Sequence, residues 1–180
     1  MPFDQAPEEN NAPVRSFHEL SFPEQLVLWS VRLWTQGNHM NICVLPGLCR
    51  AYAQAGAAGA VPPLDRLMVS LLMARRRVIQ IRPVCCHGIT ADEAAILSLI
   101  AGISRRKQPR AQALLQQWMA PDLAVKCLAP ATRFTDYLTR GGLTMPMRTW
   151  DWDALPKSAG KGTFRPASPS QNYGLHLTLH

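Results

Sequence analysis

The sequence predicts an all-α fold: a compact bundle of five to seven short helices, with a disordered N-terminal arm and a disordered C-terminal tail. Two observations carry that reading. Apolar residues recur at helical spacing in several separate stretches, most cleanly at Leu64, Leu67, Met68, Leu71 and Leu72. Capping residues, glycines and prolines bound those stretches where helices should start and stop. With 180 residues, 47% of them hydrophobic, the chain can bury one sizeable core, so a single domain is expected.

Residues 1–20 mix Pro, Asn and Glu with few apolar groups, and such a segment cannot bury enough surface to offset the cost of ordering it. It reads as a flexible arm. The helical domain should span 21–142. Ser21-Phe-Pro-Glu24 supplies a cap, an early proline and a Glu three residues on, which together start a helix. In that helix Leu26, Val27, Trp29, Val31, Leu33 and Trp34 form the apolar side, Glu24, Gln25, Arg32 and Gln36 face away, and Gly37 ends it.

Pro46 opens a shorter helix through Leu48, Cys49, Tyr52 and Ala53, and the Leu64–Leu72 helix follows Pro62-Pro63. The latter ends in Arg75, Arg76 and Arg77, where cations complement the helix dipole. Val78-Ile-Gln-Ile81 suits a last helical turn or a short extended segment, the latter favoured by its β-branched Val78, Ile79 and Ile81 and by Pro83, which biases Arg82 away from helix. Thr90-Ala-Asp-Glu93 is a capping box, and Ile96, Leu99, Ile100 and Ile103 mark the buried face of the helix it starts.

After a break at 104–108, Ala111, Leu114, Leu115 and Trp118 form another stripe that Pro121 closes. A short helix over about 122–128 and a last one over about 131–140 complete the domain before Gly141-Gly142. Residues 143–180 lack periodicity and read as a mostly irregular tail.

No apolar run approaches the roughly eighteen residues a membrane span needs, and the acidic start has no secretory h-region. A soluble, cytoplasmic protein with no membrane partner is expected. Five cysteines at irregular spacing are an odd number, which suits reduced thiols and not a disulfide framework. The net charge of +7 suits a polyanion or an acidic partner.

Four chemistries compete for the function. Cys43, Cys49, Cys85, Cys86 and His87 are soft ligands that could hold zinc or an iron-sulfur cluster, but their spacing is not that of a chelating pair. The alternative is that Cys43, Cys49 and Cys127 fill the core; apart from such a site no cofactor is expected. A nucleophilic Cys85 or Cys86 served by His87 or His39 would make an enzyme, yet no nucleophile signature surrounds them.

The stretches flanking 104–109 could form a helix-turn-helix on nucleic acid. Arg75, Arg76, Arg77 and Arg82, with Arg105, Arg106, Lys107 and Arg110, would hold phosphates, while Arg110, Gln112, Gln116 and Gln117 would face base edges. Lastly, Trp150 and Trp152 stand beyond the expected helices, where they either anchor a protein partner, a second copy of the chain included, or fold back over the bundle. A non-enzymatic protein that binds a macromolecule is the resulting expectation, a protein partner standing slightly ahead of nucleic acid.

Overall fold

A computed structural model describes residues 16–157 of the chain, so the expected arm up to residue 15 and the expected tail from residue 158 lie outside it. Among the described residues there are six α-helices and no strand: α1 Phe22–Met40, α2 Leu45–Gln54, α3 Val61–Ala74, α4 Ala91–Ser104, α5 Gln108–Gln116 and α6 Pro121–Arg140. A single 3-10 turn, Phe17–Glu19, precedes them. The fold is the helical bundle that the periodicity predicts.

α4 is its axis. Every residue from Asp92 to Ile103 is buried, and a helix apolar on all sides has to be surrounded on all sides. α1, α5 and α6 pack against it, and α3 lies along α6. The start of α3 and the end of α6 meet at Gly56 and Gly141, where a Cβ on Gly141 would stand 2.8 Å from the Gly56 carbonyl oxygen. At the other end the Arg76 N–H donates to the Trp118 carbonyl just before α6 begins (2.7 Å). The two helices therefore run in opposite directions.

Several elements depart from the sequence reading. α1 passes through Gly37 and ends three residues later, with Asn41 in the left-handed region (φ 54°) that asparagine tolerates. Gly37 is needed for space and not as a stop, because a Cβ there would overlap Val44 as the chain turns back. Residues 121–140 form one helix and not two, with Pro130 inside it. An interior proline costs about 3 kcal/mol, and the burial of Ala124, Cys127, Ala131, Phe134 and Leu138 along the same helix offsets it. Val78 to Ile81 resolve as neither helix nor strand.

The largest departures concern charge. Glu24 and Arg32, expected to face away from the core, are both about 1% exposed. Arg32 donates from Nε and Nη2 to the two oxygens of Glu93 (2.8 and 3.0 Å), from Nη2 to the Gly88 carbonyl (2.7 Å) and from Nη1 to the Cys86 carbonyl. Glu93 also accepts from the Thr90 and Arg82 N–H groups (both 2.9 Å). The capping box read from the sequence is thus present, and its acid is also the counterion of a buried arginine on another helix.

Glu24 works in the same way at the start of α1. It accepts from the Ser21 N–H (2.8 Å) and from Arg148 Nε and Nη2 (2.6 and 2.8 Å). Arg148 belongs to the irregular stretch after α6, where the core was expected to have ended. Instead Leu143, Met145, Trp150 and Leu155 are buried, and the Pro156 carbonyl accepts from the Ala91 N–H (3.0 Å) at the start of α4. The segment has no periodicity because it is a strap, packed residue by residue and not by a repeating face.

Removing one partner of a buried pair strands the other, so Arg32→Ala should lower the unfolding free energy by about 3–5 kcal/mol. Urea denaturation followed by circular dichroism measures this. Arg32→Met combined with Glu93→Leu should cost less than the two single changes added together, since each single change strands the opposite charge and the double change strands neither.

Candidate functional site

The most exposed chemistry gathers around α5. No Asp or Glu occurs between Glu93 and Asp122, so α5 and the turn before it carry only positive charge. α4 ends in a Schellman turn: the Lys107 N–H donates to the Gly102 carbonyl and the Arg106 N–H to the Ile103 carbonyl, both at 2.8 Å. The residue at the left-handed position of that turn is usually glycine. Here it is Arg106, with φ at 56°. A side chain in that region carries a cost of order 1 kcal/mol that glycine avoids.

Ala111, Leu114 and Leu115 turn α5 inward, and Trp118 just beyond is fully buried. On the other face Arg110, Ala113 and Gln116 are exposed and Gln112 is half-buried at the edge. Arg105, Arg106 and Lys107 are exposed at the start of α5. Arg75 and Arg76 are exposed at its end, held there by the bond from Arg76 to Trp118. At 1.5 Å per residue, the nine residues of α5 between them span about 14 Å. None of these six cations forms an ion pair among the described residues.

Two arginines assigned to this surface from sequence are placed otherwise. Arg77 donates to both oxygens of Asp92 (2.9 and 2.6 Å) and to the Gln117 and Val78 carbonyls. Its charge is already met. Arg82 is half-buried beside Gly88, and its N–H is given to Glu93. The helix-turn-helix expectation also changes, since α4 is the buried axis and cannot lie across a nucleic-acid backbone; α5 alone presents a face.

Asp92 is a hub of its own. Burial opposes its ionisation, but the bonds from Arg77, from the Gln80 N–H (2.8 Å) and from Trp118 Nε1 (2.9 Å) outweigh burial and hold its carboxyl below the usual value of 3.8. Asp92 stands in the first turn of α4, where an acid suits the helix dipole, and it ties the loop after α3 to the end of α5. Next to it a hollow of about 450 Å3 is lined by Arg77, Ala91, Asp92, Gln117, Trp152 and Lys157.

Trp152 is 38% exposed there, whereas Trp150 is buried and donates to the Ser98 hydroxyl (2.8 Å). Trp150 is therefore core, and the expectation that it anchors a partner is corrected: its indole fills space over α4 and its N–H is satisfied. The soft ligands do not converge either. Cys43, Cys49, Cys85 and His87 are exposed and Cys86 is half-buried, and no three His, Cys, Asp or Glu side chains among the described residues gather where they could hold one metal ion. Cys43 and Cys49 are thus not core filler; of the three cysteines so assigned, Cys127 alone is buried.

No protein-family model, curated protein or solved structure matches the chain. What this surface can do rests on its own chemistry. Guanidinium and ammonium groups at both ends of an exposed, acid-free helix can meet two regions of one polyanion, with amide side chains between them.

Two outcomes follow from these environments. Burial pushes the Cys127 thiol up to about 12, so with the folded protein at neutral pH iodoacetamide should modify Cys43, Cys49 and Cys85 and leave Cys127 untouched until denaturant is added, as read by peptide mass spectrometry. The lowered Asp92 value means that its stabilisation is complete above pH 3.8 and lost as pH falls through the folded-state value. The stability gap between wild type and Asp92→Asn should accordingly shrink on acidification, in thermal melts run across that range.

Proposed function

We propose that this protein binds nucleic acid through the outer face of α5. The observation that supports this best is the pair of unpaired cation clusters, Arg75 and Arg76 beyond one end of α5 and Arg105, Arg106, Lys107 and Arg110 at and just before its other end. Phosphates recur along a nucleic-acid backbone, and neutralising several at once releases their counterions. Gln116 and Gln112 stand between the clusters, and amide side chains can pair with adenine edges. The left-handed Arg106 adds support. A strained arginine at a position that suits glycine is a stability cost borne for its charge.

The second reading is a protein partner held at Trp152, favoured by the half-exposed indole beside Lys157 and Gln117 in its hollow. The setting we assign is the cytoplasm. Five unbridged thiols suit a reducing compartment, and no helix among the described residues is long and apolar enough to cross a membrane.

Fluorescence anisotropy with labelled DNA and RNA tests the proposal. Binding should tighten as salt is lowered, and each of Arg105→Ala, Arg110→Ala and Arg76→Ala should make the salt dependence shallower by about one unit of slope. Arg106→Gly should divide stability from binding, raising the unfolding free energy by about 1 kcal/mol while weakening the complex. No affinity at low salt, or affinity that ignores salt, would sink the proposal.

A further inference from the structure

The antiparallel α3 and α6 leave a groove of about 880 Å3 between their outer faces. Pro62, Val69, Ala129 and Pro130 give it apolar walls. Three exposed cations stand on it, Arg66 from α3 and Lys126 and Arg133 from α6, and none is in an ion pair among the described residues. Asp65, the acid in the lining, accepts from Trp34 Nε1 through one oxygen (2.7 Å).

An aromatic ring closes one end. A Cβ at Gly59 would overlap the ring of Tyr137, so the glycine is what lets the ring lie against the backbone; the ring is part-exposed, with the Arg140 guanidinium 5.9 Å from its centre. Toward the other end the lining reaches Ser70 on α3 and Lys126 on α6. The outer stripe of α3, Pro62, Arg66, Val69 and Met73, leads directly to Arg75 and Arg76, the cations already placed at the end of α5.

We propose that this groove and the α5 face form one continuous track, and that its ligand is a single-stranded nucleic acid. The inference rests on the α5 reading and adds the class of ligand to it. Packed helices have axes about 8–10 Å apart, so a groove between them receives one extended strand, whereas a duplex would ride over its rim. Arg66, Lys126 and Arg133 would track the phosphates, while the prolines, Val69 and the Tyr137 ring receive base faces, the combination by which strands are held without sequence preference. An acidic peptide would use the same cations but has no need of a ring face.

Anisotropy titrations of the full chain decide, using labelled oligothymidine of about 20 nucleotides and a duplex of equal length. Three variants are compared with wild type: the groove variant Arg66→Ala, Lys126→Ala, Arg133→Ala; the α5 variant Arg105→Ala, Arg106→Ala, Arg110→Ala; and Tyr137→Leu. Circular dichroism melts check that each remains folded. The groove variant should lose tenfold or more in affinity for the single strand, with a salt slope shallower by about 2, and lose little for the duplex. Tyr137→Leu should weaken single-strand binding at an unchanged salt slope.

If only the α5 variant loses affinity, the track is overturned and the α5 reading stands; if wild type binds neither probe at low salt, both fall. Duplex binding that depends equally on the groove, or displacement of the strand by polyglutamate of matched charge, overturns the assignment of the ligand.

Discussion

The buried contact between Arg32 and Glu93 is the constraint on which the rest of the structure depends. A guanidinium group is planar and permanently charged, and its donors point in fixed directions. Placed at the middle of α1 it binds both oxygens of an acid on α4 and two backbone carbonyls, those of Cys86 and Gly88. One side chain thereby fixes two helices and the loop between α3 and α4. The Phe17 ring stacks at 5.5 Å from the same guanidinium carbon, and the Phe17 N–H donates to the His87 carbonyl, so the approach to α1 is drawn into the same assembly.

The same device recurs in two irregular stretches. Glu24 holds Arg148 of the strap after α6, and Asp92 holds Arg77 of the loop after α3. Segments without a repeating apolar face cannot be positioned by hydrophobic burial alone, which has no direction; charge-assisted hydrogen bonds supply the direction. Three of the molecule's acids are thereby committed to internal arginines. The arginines and the lysine around α5 face solvent with no acid between Glu93 and Asp122, and this division of charge makes that surface basic.

Much of the helical framework was legible in the sequence because periodicity and capping act locally. The stripe from Leu64 to Leu72, the Thr90–Glu93 box and the breaks around 104–108 and at Gly141 all report on residues within a turn or two of one another. What escaped depends on neighbours far away in the chain. Arg32 looks solvent-facing on a helical wheel, and only the arrival of Glu93 makes its burial possible. Pro130 looks like a boundary until packing on both sides of it outweighs the lost hydrogen bond. Of the candidate site, the two basic clusters were visible as composition. That they flank α5, that Arg77 is already occupied, and that Trp150 is core while Trp152 is part-exposed required the tertiary arrangement.

The meeting of Gly56 and Gly141 has a bearing on how the molecule assembles. These glycines are 85 residues apart in sequence, yet their backbones all but touch, so the α3–α6 pairing comes together only after a long loop has closed. α4 and α5, neighbours in the chain, face no such entropic delay. Helical proteins usually fold fast because their contacts are local. Here the apposition that shapes the basic groove is among the less local in the structure, which makes it a natural late event on the way to the native state.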